Sequence, residues 1–161
     1  MAKAILLSAI GPILINGDDR QLRSIHILDA GESMPAVHPA DAAPRGSPVA
    51  EAARQLDAYF TAGFTAFDLP LAPMASPRGE ALRAAIAAIP PGDTLSYGAV
   101  AKAVGSSPRA IGQACARNPL PIVIPCHRVV GSGGAIGHYS AGRGIVTKTW
   151  LLDHERRGGL L

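Results

Sequence analysis

Cysteine is rare in this chain. Cys115 and Cys126 are the two in 161 residues, too few for a disulfide framework. Both lie in apolar or helical context, as in a protein of a reducing cytosol. No apolar run approaches the length needed to cross a membrane. The stretch after Lys3, from Ala4 to Ile15, superficially resembles a signal sequence, but Gly11-Pro12 interrupts it and no small-residue cleavage site follows. A soluble, cytoplasmic protein without a membrane partner is therefore expected. Charged residues are sparse at 17%, against 48% hydrophobic ones, so there is enough apolar material for a core. Acids are scarcest in the second half. Residues 81–161 hold three acids and nine Lys or Arg, a sum of +6, whereas residues 1–80 hold nine acids and six bases, a sum of −3. A basic half joined to an acidic one points to an anionic partner, nucleic acid first.

Glycine and proline, by contrast, are abundant at 18 and 14, which predicts long loops. The length suits one compact domain or two small lobes sharing a core. Asn16-Gly17 sits between two β-like runs, Ala4 to Ile15 and Leu22 to Leu28, and predicts a hairpin turn. Asp29 to Gly46, with Pro35, Pro39 and Pro44, reads as a surface loop. Ser47-Pro48 opens a helix, with Ser as cap and Pro at the first helical position. Ala52, Leu56, Tyr59 and Phe60 then recur at helical spacing. Phe64 to Leu71 reads as a short strand or extended linker.

A second unit starts near Ser76, which divides the chain into an N-terminal lobe at 1–75 and a C-terminal lobe at 76–161. Leu82, Ala85, Ile86 and Ile89 form one helical face, stopped by Pro90-Pro91-Gly92. Ser96 to Val104 and Pro108 to Arg117, joined by Gly105-Ser106-Ser107, give a helix-turn-helix outline. Ile122-Val123-Ile124 reads as a buried strand ended by Pro125. A Gly-rich loop follows from Gly131 to Gly144, and then a final helix from Thr147 to Arg157. The fold class is α/β of the α+β kind. It combines a small N-terminal lobe of antiparallel sheet and helices with a mostly helical, winged-helix-like C-terminal lobe.

The chemistry concentrates in Asn118-Pro119-Leu120-Pro121-Ile122-Val123-Ile124-Pro125-Cys126-His127-Arg128-Val129-Val130. A cysteine fixed by a Pro-shaped turn is held in place, and the adjacent His can act as its base. The thiolate is the reactive form, so such a Cys needs a base or an electropositive setting. The residue types alone are equally those of a buried structural Cys beside a surface His. Cys126, His127, His138 and His154 have none of the usual ligand spacings, so no metal is expected.

Pro125-Cys126-His127-Arg128-Val129, with Asn118-Pro119 eight residues before the Cys, resembles the active-site signature of O6-alkylguanine-DNA alkyltransferases (methylated-DNA–protein-cysteine methyltransferases). Ile89-Pro90-Pro91-Gly92, Ser96-Tyr97, Pro108-Arg109-Ala110-Ile111-Gly112, Gly137-His138-Tyr139-Ser140 and Trp150-Leu151-Leu152-Asp153-His154-Glu155 resemble further family landmarks in the right order. The resemblance is strong over 89–155 and looser before, and it makes 76–161 the DNA-binding and alkyl-transfer domain. It implies irreversible, one-for-one transfer of the alkyl group from O6-alkylguanine, and from O4-alkylthymine, to Cys126. The target base would be flipped out of double-stranded DNA. His127 would be the base through a water, Glu155 would orient His127, and Asn118 would brace the turn.

Further roles follow from the same resemblance. Tyr97 would crowd the backbone and donate toward guanine N3. Tyr139 would wall the pocket, the Ser140 amide would meet the guanine, and the carbonyls of Cys126 and Val129 would accept its exocyclic amine. Pro108, Ala110 and Gly112 would form a small helix face entering the minor groove, with Arg109 filling the gap left by the flipped base. Arg128 is expected among the DNA-binding residues. No cofactor is implied, and the protein would be a monomer in solution.

The chain departs from the family pattern where a Phe-Gln pair and a Trp usually stand before Ile89: here are Arg78, Gly79 and Arg83. A difference is expected in how that helix packs. Two extra residues precede the last helix, so Glu155 is matched by its Leu-Leu-x-His-Glu context. With no Cys before position 115, the first lobe lacks the thiolates that hold a structural zinc in some relatives. Cys115 reads as helix packing or pocket wall. The alternative function is a non-catalytic, alkyltransferase-like lesion-binding protein. Such relatives commonly carry Trp in place of the Cys, whereas this chain keeps Cys126. A Cys-His hydrolase is the third reading, and it lacks an obvious acyl-binding motif.

Overall fold

The computed structural model of the chain describes residues 1–63 and 66–159. Three antiparallel strands come first, β1 (Ala2–Ser8), β2 (Gly11–Gly17) and β3 (Leu22–Ile27), in the order β1-β2-β3. Ile13 and Ile15 of β2 and Ile25 and Ile27 of β3 recur at period two and are buried on one face, and Leu22 is buried beside the register irregularity at Asn16/Gly17. Helix α1 (Pro48–Thr61) covers that face with Val49, Ala52, Leu56, Tyr59 and Phe60. Its start is as expected: Ser47 Oγ accepts the Ala50 N–H and Pro48 occupies the first turn. The loop before it is largely exposed, with a single 3-10 turn at Pro39–Asp41.

The hairpin differs from expectation. Ala4 to Ile15 is two strands, and the tight turn falls at Ser8–Gly11, where Gly11 takes φ 104°. Asn16-Gly17 ends β2, and Asp18 makes the following turn by accepting the Arg20 and Gln21 N–H groups at 2.9 Å each. Gly17 is needed for space instead, since a Cβ there would lie 2.6 Å from the Gln21 carbonyl oxygen and 2.8 Å from Val49 Cγ2. A polar Asn-Gly pair carries the same local signal in either role, and tertiary crowding decided between them.

Phe64 and Thr65, within the predicted strand or linker, lie outside the described residues. Its later part runs extended beside β3: Leu22 N–H donates to Pro70 O, and Ala72 N–H to Leu22 O. Helices α2 (Pro77–Ala87), α3 (Tyr97–Val104) and α4 (Pro108–Ala116) follow, each capped by a serine, Ser76, Ser96 and Ser107. Gly105 closes α3 in the left-handed conformation, φ 63°, and sets the α3–α4 turn of the helix-turn-helix. Between α2 and α3 lies β4 (Leu95–Ser96), which pairs in parallel with β5 (Val129–Val130). Helix α5 (Ile145–Arg156) begins two residues earlier than predicted, capped by Gly144 without a side-chain bond.

Ile122-Val123-Ile124 is no strand but a buried tight turn, with Pro121 bridged to Ile124. A short apolar run flanked by prolines signals burial and leaves its backbone conformation open. One continuous core joins the sheet and α1 to Ile86, Ile89, Val100, Ile111, Leu120 and Leu151 of the second half. Ile25 N–H donates to Pro119 O at 2.9 Å, so the sheet grips the chain just before the turn that carries Cys126.

Candidate active site

Cys126 opens a single 3-10 turn, Cys126–Arg128. The approach to it is tightly folded. Ile124 N–H donates to Leu120 O at 2.9 Å, and Cys126 N–H to Ile124 O at 2.8 Å, an inverse γ-turn about Pro125 at φ −81°, ψ 61°. Ile122 sits at φ 74°, a left-handed conformation costing a β-branched residue on the order of 1–3 kcal/mol. Burial of its side chain offsets that strain. Asn118 staples the turn: its Nδ2 donates to Ile124 O at 2.9 Å and to Cys126 Sγ at 3.2 Å, while Oδ1 accepts the Leu120 N–H.

The next residue of the turn enters a closed polar cluster. His127 is fully buried, and its Nε2 lies 2.8 Å from Glu155 Oε2. That oxygen also accepts from Tyr59 Oη and Arg128 Nη2, each at 2.8 Å, and Oε1 accepts from Arg128 Nε at 2.7 Å. Burial pushes the Glu155 carboxyl upward, but the Arg128 and His127 hydrogen bonds outweigh it and hold the group at about 2. Glu155 is therefore a carboxylate at neutral pH, and this network assigns the His127 proton to Nε2. Burial pushes the imidazole's own pKa down, so the ring is neutral. Its buried Nδ1, without a partner among the described residues, keeps a lone pair. A neutral imidazole fixed by a carboxylate is a competent base.

On its other side Cys126 lines a cavity of about 280 Å³. Tyr97 at the start of α3, Gly112, Cys115 and Ala116 of α4, and His138, Tyr139 and Ser140 of the Gly-rich loop form the other walls. Burial raises the pKa of the Cys126 thiol, and the Asn118 hydrogen bond and the charge of Lys148 draw it back. At neutral pH the sulfur is a thiol that needs a base. Burial also raises the Tyr97 hydroxyl, which stays protonated and can donate. Burial pushes the Cys115 thiol up to about 12, so it stands in the cavity wall as a protonated thiol.

Most of the residues singled out in the sequence converge here: Asn118, Cys126, His127, Glu155, Tyr97, Tyr139 and Ser140. Val129 adjoins them, and its carbonyl accepts from Lys148 Nζ at 2.8 Å. Pro108 and Arg109 are exposed at the start of α4, and Ala110 and Gly112 are half-buried along it. No atom stands within 4 Å of a Cβ built on Gly112, so internal packing does not demand glycine there. Arg128 departs from expectation. It is 3% exposed, with its guanidinium closed around Glu155 and Nη1 donating to Ile89 O at 2.7 Å, and it cannot reach DNA.

Sequence reasoning missed two participants. Tyr59 looked like a core aromatic, and nothing local reveals that its hydroxyl crosses to a carboxylate 96 residues away. Lys148 did leave a signal. It stands at i, with Leu151, Leu152 and Glu155 at i+3, i+4 and i+7, a lysine on the buried stripe of α5.

The comparisons agree with this geometry. Residues 79–157 match the family model described as 6-O-methylguanine DNA methyltransferase, DNA binding domain, and residues 1–73 that of its ribonuclease-like domain. The chain is 37% identical over 157 residues to the methylated-DNA–protein-cysteine methyltransferase of Methanosarcina acetivorans, covering 96% of this chain and 98% of the relative. It is 35% identical over 174 residues to that of Mus musculus, covering 96% and 81%. The crystal structure of Mycobacterium tuberculosis OGT in complex with DNA matches with a TM-score of 0.81 at 30% identity, covering 99% of this chain and 96% of that one.

Proposed function

The chain belongs to the 6-O-methylguanine DNA methyltransferase family, and from that premise we propose how its residues carry the reaction of a methylated-DNA–protein-cysteine methyltransferase. The protein binds DNA and repairs O6-methylguanine directly. The acceptor is Cys126. His127 takes the thiol proton at Nδ1 through an intervening water, and Glu155 keeps the imidazole oriented and stabilises it once charged. The sulfur attacks the alkyl carbon, a C–S bond forms, and the carbon–O6 bond breaks. The leaving guanine takes a proton at N3 from the Tyr97 hydroxyl. Tyr139 and the Ser140 amide hold the purine, and the carbonyls of Cys126 and Val129 accept its exocyclic amine. The product is a thioether, with no electrophilic carbonyl or second sulfur through which a thiol could release it. Each molecule therefore repairs one base, and O4-alkylthymine enters by the same route.

An O6-alkyl group is buried in the stack, so the base must leave the duplex to meet the sulfur. We assign that work to α4. The minor groove is about 6 Å wide, and the small residues Pro108, Ala110 and Gly112 keep α4 slim enough to enter it. Arg109 fills the gap. Support comes from the exposure of Pro108 and Arg109 at the start of α4. The lobe of residues 1–75 braces the site while residues 76–161 bind DNA, and the protein acts as a monomer.

The observation that carries the reading is the placement of Cys126 between a cavity and a buried His127–Glu155 pair. Incubation with an O6-methylguanine duplex, followed by peptide mass mapping, tests it. One methyl group on the Cys126 peptide, saturating at one per protein, is expected. Tight lesion binding without modification means a non-catalytic lesion-binding protein instead, and many turnovers mean a hydrolase.

A further inference from the structure

We propose that Lys148 is a positioning residue of the transfer site: a buried ammonium that clips the Gly-rich loop to the cysteine-bearing turn and stabilises Cys126 as its sulfur becomes a thiolate. This rests on the reading of Cys126 as alkyl acceptor. Lys148 is 0% exposed, and among the described residues no carboxylate forms an ion pair with it. An unpaired buried charge is costly, so something else must compensate. Of its three N–H donors, one goes to Val129 O at 2.8 Å and one to His138 O at 3.2 Å. The first carbonyl directly follows the Cys-His-Arg turn, and the second directly precedes Tyr139 and Ser140. One side chain thus ties two walls of the cavity together. Nζ stands 5.9 Å from the centroid of the Tyr97 ring, at a third wall. Gly137 lets the loop settle onto it, since a Cβ there would lie 3.3 Å from both Lys148 Nζ and Tyr97 Oη.

The remaining compensation is electrostatic. The groups facing Cys126 are Asn118 and His127 of its own turn, Tyr97 of α3, Cys115 of α4, His138 and Tyr139 of the loop, and Lys148 of α5. Of these, Lys148 alone is a full cation fixed in place by burial. Burial lowers the Lys148 pKa, and Cys115 and Cys126 draw it part of the way back; its charge in turn favours the anionic forms of both thiols. Arg128, the other buried cation nearby, is committed to Glu155.

The test is the pH profile of Lys148→Met, which keeps the length of the side chain and removes its charge. Rates of Cys126 modification by iodoacetamide and by O6-benzylguanine are followed by peptide mass between pH 7 and 12, so that both midpoints fall inside the range and Cys115 is read separately. The midpoint for Cys126 is expected to rise by about one unit. The iodoacetamide rate at pH 7.5 then drops about 3- to 10-fold, because a more basic thiolate regains part of the lost fraction as nucleophilicity. Above the new midpoint the iodoacetamide rate recovers to at least the wild-type plateau. A lysine that only holds walls in place would lower both limbs with the midpoint unmoved, and that result overturns the proposal. If Lys148→Met does not fold, the wild-type protein decides by ¹⁵N NMR of Lys148 Nζ before and after methylation of Cys126. The lysine pKa falls on methylation if the pair is coupled, and an unchanged value refutes it. Should wild-type protein accept no alkyl group at Cys126 yet keep the coupled iodoacetamide profile, the functional reading fails while the electrostatic pair stands.

Discussion

Arg128 separates two accounts of the Cys-His-Arg signature, and Arg128→Met distinguishes them sharply. If the guanidinium braces Glu155, as its two bonds to that carboxylate at 2.7 and 2.8 Å indicate, removing it leaves a buried carboxylate short of donors. Breaking one side of a buried ion pair costs about 3–5 kcal/mol. Glu155 keeps Tyr59 and His127, which argues for the lower part of that range. With a urea slope of about 2 kcal/mol/M for a chain of this size, the unfolding midpoint should fall by about 1.5–2 M. The salt dependence of duplex binding should stay unchanged in whatever fraction remains folded. If Arg128 instead contacts a phosphate, the slope of log K against log salt loses about 0.9 and stability does not move. A midpoint within 0.3 M of wild type together with that loss of slope refutes the brace.

Arg109 should behave in the opposite way, being exposed on α4. Arg109→Ala is expected to slow repair of an O6-methylguanine duplex at least tenfold while leaving the reaction with free O6-benzylguanine within about twofold, and equal losses on both substrates reject the gap-filling role. Stability should also fall in acid. Glu155 has a folded-state pKa of about 2 against an ordinary 4.5, so its contribution is present above 4.5 and is lost as pH falls toward 2, roughly 3 kcal/mol in all. His127 adds an earlier decline below its ordinary 6.5, because the unfolded chain takes a proton that the buried ring refuses. Urea midpoints at pH 7, 5 and 3 check this, and a midpoint that holds steady from 5 to 3 contradicts it.

The parts of the fold that the chain spells out locally were readable. Serine caps followed by proline mark α1, α2 and α4, and period-two isoleucines mark the sheet. The site's membership was readable only through the ordered resemblance of its motifs. Composition alone left Cys126 a structural thiol as readily as a nucleophile. What escaped depends on contacts between distant segments. Arg128 stands beside a nucleophile in a basic half, where a surface role is the ordinary reading, and only folding brings Glu155 around to claim it. Ile122 escaped for the reverse reason. A β-branched residue between prolines argues for extended backbone, and the turn overrides that preference because Asn118 and the core hold both of its ends.

The same dependence explains why losing the usual aromatic anchors of α2 leaves the site intact. Arg83 reaches back to Ala72 O at 2.9 Å and Met74 Sδ at 2.8 Å, and Arg78 reaches Ser106 Oγ at 3.0 Å. One fastens α2 to the segment arriving from the first lobe, the other to the turn between α3 and α4. Gly79 lets Met74 settle on the helix, with Met74 Cβ only 3.2 Å from where a Cβ would stand. Directed hydrogen bonds here replace apolar area at the rim of the core, while the face that supports the site keeps Ile86, and Ile89 just beyond the helix, buried. Ile89 also supplies the carbonyl that fixes Arg128. The helix can therefore exchange its outer anchors, because what the chemistry requires of it is the carbonyl at its C-terminal end and the apolar face beneath.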